Sequence, residues 1–359
     1  MDLALTPEQA ILVESARTLL AKQSPLTAVR ALEAQDRGFD RDLWREIARL
    51  GWTGLELPTA LGGSGLGFVE VVLLAEEMGR ALLPSPFVAT VAMGSWLIQT
   101  LANEAQRRRW LPGIAAGEIV ATVAIAERDA RSLWDEATLA PTGGRLAGRK
   151  RFVPFAAEAD ILLVATAGPA LVAVERDASG LELTRQRALG GEPLYELSFD
   201  NTPCEVVAAG VAPLTCALDR GAVATLAYWV GACERMLNMS VEYARTREQF
   251  GRPIGSFQAI AHRCVDMRSD VDALRVLVHQ AAWCLATGRP RDVEVGSALA
   301  YGLEAVRRTA LHAHQVHGAI AFSMEHDLQL FTRRAKAAEL TWGPPGLHHE
   351  RVARAMGLG

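Results

Sequence analysis

The run Tyr243-Ala244-Arg245-Thr246-Arg247-Glu248-Gln249-Phe250-Gly251-Arg252-Pro253-Ile254-Gly255-Ser256-Phe257-Gln258 decides how the rest of the chain is read. Upstream of it, Ala222 to Arg245 reads as a long helix, so its arginines sit at a C-terminus where cations complement the macrodipole. Phe250-Gly251 turns the chain, and Phe257-Gln258 opens the next helix. Downstream, Ile260, Cys264, Met267, Val271, Leu274 and Val278 recur at three- and four-residue intervals, and no proline interrupts the chain before Pro290. That spacing makes one apolar stripe on a helix of about nine turns. Val293 to Gln315 is a third helical run and Pro344-Pro345 stops a fourth, a set expected to pack as a bundle. The arginines leave two readings open. They are ordinary helix-end charges, or Arg247 is a bidentate donor for a pyrophosphate, a task lysine performs less well.

Working toward the N-terminus, the period changes. Ile119 to Ile125, Arg145 to Val153, Ile161 to Ala167, Leu171 to Glu175 and Tyr195 to Phe199 are short β-rich runs between turn signals, with no helical stretch among them. This pattern favours an antiparallel sheet or barrel over βαβ units. Before them the chain is helical again. Thr6-Pro7-Glu8-Gln9 has the form of a capping box with proline at the first helical position, and Asp40 precedes a run that ends at Gly51. The expectation is an α+β chain in three zones: a helical domain over 1–117, a central antiparallel β-barrel over 118–208 and a C-terminal four-helix bundle over 209–359.

Composition narrows the function. The 359 residues carry 37 Lys plus Arg against 41 Asp plus Glu, a formal charge of -4. A dedicated nucleic-acid binder or a polybasic membrane-surface protein needs a positive excess, so both are excluded. The five cysteines form no CxxC pair, which argues against a disulfide framework and a zinc site and points to a reducing cytoplasm. No stretch is long enough to span a bilayer, and none has the form of a signal peptide. Gly62-Gly63-Ser64-Gly65-Leu66-Gly67 imitates a phosphate loop but lies between helical segments, so it reads as a turn. His312, His314 and His317 do not converge on one helix face, and no metal is expected.

The opening segment resembles the signature of acyl-CoA dehydrogenases. The similarity extends through Leu57-Pro58 with Gly62-Gly63-Ser64-Gly65, Glu76-Glu77-Met78-Gly79-Arg80, Trp110-Leu111-Pro112, Leu146 to Lys150, Ala159-Asp160 and Gln315-Val316-His317-Gly318. The resemblance implies the three-zone fold, FAD at a dimer interface, an acyl-CoA substrate and an acceptor such as an electron-transfer flavoprotein. It also implies that Arg247, Phe250, Gln258, Gln315 and Gly318 reach the FAD of a neighbouring subunit. On the chain's own flavin side the matching positions are Ala126, where a threonine is usual, Phe152, and Pro154, where a second threonine is usual. Ser132 alone remains of the CoA-contacting turn.

The chemistry demands a carboxylate to remove the α-proton while hydride leaves the β-carbon. The two slots where the resemblance implies a glutamate are Trp342, before Gly343, and Gly221, and neither is acidic. Asp219 and Glu339 are the nearest substitutes, each with the simpler reading of a solvated helix-end charge. Three functions follow. The first is a non-catalytic partner in an α2β2 acyl-CoA dehydrogenase, of the kind acting on steroid side chains. The second is a homo-oligomeric enzyme with a relocated base. The third is a flavin-free structural or regulatory subunit.

Overall fold

The computed structural model describes residues 4–35, 38–127, 133, 137–168, 170–209 and 211–358. Helix α1 (Pro7–Gln23) begins with the reciprocal capping box read from the sequence: Gln9 N–H donates to Thr6 Oγ1 at 3.2 Å and Thr6 N–H to Gln9 Oε1 at 3.0 Å. After α2 (Leu26–Ala34), Asp40 Oδ1 accepts the N–H groups of Asp42 and Leu43 and starts α3 (Arg41–Arg49). The glycine-rich run from Gly62 leads into α4 (Phe68–Arg80) as an interhelical turn. There a Cβ on Gly63 would lie 2.0 Å from the Leu57 carbonyl oxygen, so only glycine fits. A buried π-helical segment, Val88–Ser95, runs into α5 (Trp96–Leu101), and α6 (Glu104–Ala115) follows.

The middle of the chain holds β1 (Ala121–Ala124), β2 (Arg145–Pro154), β3 (Ile161–Thr166), β4 (Ala170–Glu175), β5 (Leu181–Gln186), β6 (Leu194–Pro203) and β7 (Glu205–Ala209). These strands correct the expected barrel. They form two open sheets among the described residues, ordered β1-β3-β4-β7 and β2-β6-β5, and β1 pairs with β3 in parallel while the remaining pairs are antiparallel. β3 is buried along its whole length, which is why it reads as a continuous apolar run without alternation. The register of β2 on β6 slips between Lys150 and Val153, and at that irregularity Phe152 takes a φ of 55°.

Helix α7 (Val211–Thr246) leads to a hairpin of β8 (Glu248–Gln249) and β9 (Arg252–Pro253). Then come α8 (Gln258–Ala286), α9 (Asp292–His317), α10 (Leu328–Thr341) and α11 (Pro345–Ala355). Pro344-Pro345 follows the end of α10 as expected, but Pro345 also opens α11 at a position where its missing N–H is harmless.

The described residues fold into two compact units. One comprises 31–71 with 84–222, and the other 1–30 with 72–83 and 223–359. The first has Trp44, Trp52, Phe68 and Phe87 among its largest buried side chains. In the second, the α8 stripe is fully buried at Met267, Val271, Leu274 and Val278 and only half-buried at Ile260 and Cys264. There α4 and α7 approach backbone to backbone: a Cβ on Gly79 would lie 1.6 Å from the Tyr228 carbonyl oxygen, and one on Gly231 1.8 Å from that of Glu76. Glu76 is buried beside this crossing and takes two hydrogen bonds from Arg275, at 3.0 and 2.9 Å.

Candidate functional site

The helical unit gathers five of the sequence-selected residues at one end. Tyr243, near the end of α7, stacks on His317 at the end of α9, with ring centroids 4.7 Å apart. Arg263, in the second turn of α8, lies 3.0 Å from His312 Nδ1 through its Nη1. The C-termini of α7 and α9 and the N-terminus of α8 therefore meet. Arg247 follows α7 directly, its N–H donating to Tyr243 and its carbonyl accepting from Ile254 N–H, both at 2.8 Å. The backbone is pinned, yet the exposed guanidinium makes no hydrogen bond or ion pair with a described residue.

Phe250 and Gly251 are the two loop residues of the β8–β9 hairpin, with φ of 55° and 77°. Positive φ at both positions is the type I′ pattern, which suits Asn-Gly and strains a phenylalanine. Phe250 is also 93% exposed, touching Phe257 edge-on at 6.0 Å. A bulky aromatic held in strained backbone and open to solvent is free to pack against a bound group. Gln258, at the first position of α8, and Gln315, in the last turn of α9, are exposed and bond to no described side chain. Gly318 ends α9 at φ 68° and ψ −146°, a conformation open only to glycine, with free space where a Cβ would stand. Open guanidinium and amide groups beside bare backbone and an exposed ring suit an extended anionic ligand with aromatic portions.

In the other unit, the expected ring-side positions offer few donors. Ala126 is buried and contributes only its carbonyl, which accepts Arg151 N–H at 2.8 Å. Phe152 is 54% exposed, but its N–H already donates to Gln186 Oε1 at 2.9 Å. Pro154 has no N–H, and its carbonyl accepts from Thr122 Oγ1 at 2.6 Å. This stretch therefore fits a hydrogen-bonded flavin ring poorly. Ser132 lies outside the described residues.

On β2, fully buried Lys150 donates to Ile125 O at 2.9 Å and Glu127 Oε1 at 2.7 Å. Desolvation would raise the Glu127 carboxyl, but hydrogen bonds from Lys150, Thr138 and Leu139 N–H, with the Lys150 charge, bring it down to about 2.

Neither base slot holds a carboxylate. Gly221 is buried in α7. Trp342 caps α10 with its side chain buried, and its carbonyl accepts from His348 Nε2 at 2.8 Å. Asp219 departs from the reading of a solvated helix-end charge: it is fully buried in the third turn of α7, because the surrounding run is apolar. Glu339 is half-buried and pairs with Lys336 at 3.0 Å. The sequence reading missed Arg220. It is 2% exposed, donates to Ala92 O at 2.9 Å, pairs with Glu56 and lies over the Phe68 ring at 3.9 Å. Burial raises the Glu56 carboxyl against the opposing pull of Arg220. One signal could have found it: Asp219 and Arg220 are the only charged residues between Val211 and Cys233.

Residues 6–118 match the model of the acyl-CoA dehydrogenase N-terminal domain, and residues 209–357 that of the C-terminal domain. Acyl-CoA dehydrogenase IpdE2 of Mycobacterium tuberculosis is 33% identical over 348 residues, 95% of each chain. Acyl-CoA dehydrogenase FadE27 of the same organism is 30% identical over 343 residues, 91% of each. Among solved structures, the ChsE4-ChsE5 complex of M. tuberculosis superposes with a TM-score of 0.92 at 28% identity over all of both chains. The steroid acyl-CoA dehydrogenase Tcur3481-Tcur3483, as its G363A variant, gives 0.89 at 30% over 98% of each.

Proposed function

Because the chain belongs to the acyl-CoA dehydrogenase family, whose members are FAD-dependent oxidoreductases acting on acyl-CoA, we propose that it serves as the non-catalytic subunit of a heteromeric member. One observation carries this reading. The groups suited to a neighbour's cofactor are exposed and uncommitted, while both slots for the proton-abstracting glutamate hold a buried glycine and a buried tryptophan. Arg247 would grip the pyrophosphate of the FAD held in the partner, Phe250 would pack beside it, and Gln258, Gln315 and the bare backbone at Gly318 would meet the adenine side. When bound, FAD supplies the two-electron acceptor for hydride from the substrate β-carbon. The carboxylate that takes the α-proton comes from the partner.

The likeness to a two-chain complex and to a steroid acyl-CoA dehydrogenase supports an α2β2 assembly and a bulky, polycyclic CoA thioester as substrate. Electrons would leave to an electron-transfer flavoprotein or a similar acceptor. The domain limits proposed are 1–117, 118–208 and 209–359. No helix among the described residues is long and apolar enough to cross a membrane. The homo-oligomeric alternative needs Asp219 or Glu339 at the substrate, and the full burial of one and the Lys336 pairing of the other weigh against it.

The test is to purify the chain alone and together with a glutamate-bearing homologue from the same genome, and to measure flavin absorbance per chain and dye-coupled turnover. Half a flavin per chain, with turnover in the mixture only, is the expected result. Full flavin occupancy and turnover by the isolated chain would sink the proposal.

A further inference from the structure

A cavity of about 440 Å³ opens in the helical unit, a size common for small-molecule sites, and none of the residues assigned above lines it. Leu20 and Ala21 of α1, Leu26 at the start of α2 and Ala81 after α4 give it an apolar wall, and Arg17, Arg80, Arg235, Glu77 and Asp327 place charges around it. The charges do not balance. Glu77 is shared by Arg17, at 2.8 Å, and Arg80, at 3.1 Å, and Asp327 is held by Arg30 at 2.7 Å. Arg80 leans also on Glu234 at 3.2 Å. Arg235, on the exposed side of α7, has no ionic or hydrogen-bond partner among the described residues, so one positive charge at the cavity is uncompensated.

Two further groups face the same space. Ser24 lines the cavity and is only 5% exposed, and its hydroxyl makes no hydrogen bond to a described residue. Most buried hydroxyls are satisfied, so one left open in a cavity wall awaits a partner. The first turn of α2 adds N–H groups: those of Ala28 and Val29 return to Pro25 O, while those of Leu26 and Thr27 have no backbone acceptor. A free guanidinium, a free hydroxyl and helix N-terminal amides over an apolar wall select a single negative head with an apolar body.

We propose that this cavity is a binding site for a small carboxylate carrying a short apolar tail, separate from the site for FAD and thioester. The assignment is independent of the subunit role proposed above, since it uses none of those residues.

Isothermal titration of the full chain, alone and in its assembled complex, with sodium hexanoate, hexan-1-ol and inorganic phosphate tests it. One hexanoate per chain is expected, with hexan-1-ol and phosphate each bound at least tenfold more weakly and free CoA leaving the hexanoate isotherm unchanged. Arg235→Ala should weaken hexanoate at least tenfold and Ser24→Ala severalfold. Ala21→Phe, which fills the cavity from an exposed helix position, should abolish binding while circular dichroism and flavin content of the complex stay as in the parent. The assignment fails if hexanoate does not bind, if Arg235→Ala binds it as the parent does, if phosphate binds equally well, or if CoA displaces it.

Discussion

Arg247 combines a fixed backbone with an uncommitted guanidinium, so its readings as a pyrophosphate donor and as an ordinary helix-end charge can be told apart by substitution. A charge-assisted hydrogen bond contributes about 1.5–3 kcal/mol, so Arg247→Gln should weaken FAD retention by roughly 10- to 100-fold. Flavin released on dilution of the assembled complex measures this. Arg247→Lys should recover only part, because a point charge cannot form the paired contact. Retention unchanged in the glutamine variant would return Arg247 to the helix-end reading. Lys150 makes a different residue-scale case, since its ammonium is fully buried against Glu127. Lys150→Met strips the carboxylate of its cation and should lower stability by about 3–5 kcal/mol, read from urea unfolding at neutral pH.

At the scale of elements, the α4–α7 crossing is the least tolerant place described. Alanine at Gly79 or Gly231 would drive a methyl into the opposing carbonyl, so the helices must separate. Overpacking of this kind costs about 1–3 kcal/mol or more, and Gly79→Ala should lower the melting temperature by several degrees. Gly318→Ala differs because its Cβ has open space, so only its backbone conformation resists the change. That strain is about 1–3 kcal/mol, so the melting temperature should fall comparably, and flavin should be lost as well, which Gly79→Ala should not cause. Elements with local signals were legible beforehand: the Thr6 and Asp40 caps, the α8 stripe and the Phe250-Gly251 turn all follow from neighbouring residues. The sheets were less so. β5 is half-exposed with no clean apolar alternation, and the parallel pairing of β1 with β3 joins residues forty apart, which local pattern does not encode. The exposed half of the candidate site was readable as a motif. The Arg220–Glu56 pair was not, because it depends on residues far apart in sequence.

For the molecule as a whole, the shifted groups that resist acid work in one direction. Burial lowers His314, His317 and His348 from 6.5, although hydrogen bonds to backbone carbonyls partly restore the last two. Below about pH 6.5 the unfolded chain therefore binds more protons than the folded one, and stability falls. Glu76 and Glu234 are also lowered from 4.5, since charge pairing and hydrogen bonds outweigh their desolvation, and Glu127 reaches about 2. Their contribution is present above 4.5 and is lost as pH falls through the folded values. Glu56, raised by burial, acts with the opposite sign. Urea midpoints measured from pH 8 to pH 3 should stay level above about pH 7 and then decline in two stages, near 6 and below 4.5. A midpoint that rises between pH 7 and pH 5 would contradict this assignment. The buried Arg220–Glu56 pair also bears on whether a base can be added by substitution. Placing glutamate at Gly221 would add a carboxylate to a buried helical stretch that already holds Asp219, where the nearby guanidinium is already committed to Glu56. A Gly221→Glu variant would therefore meet a folding penalty, so a base cannot be installed at this slot without first rearranging its buried charges.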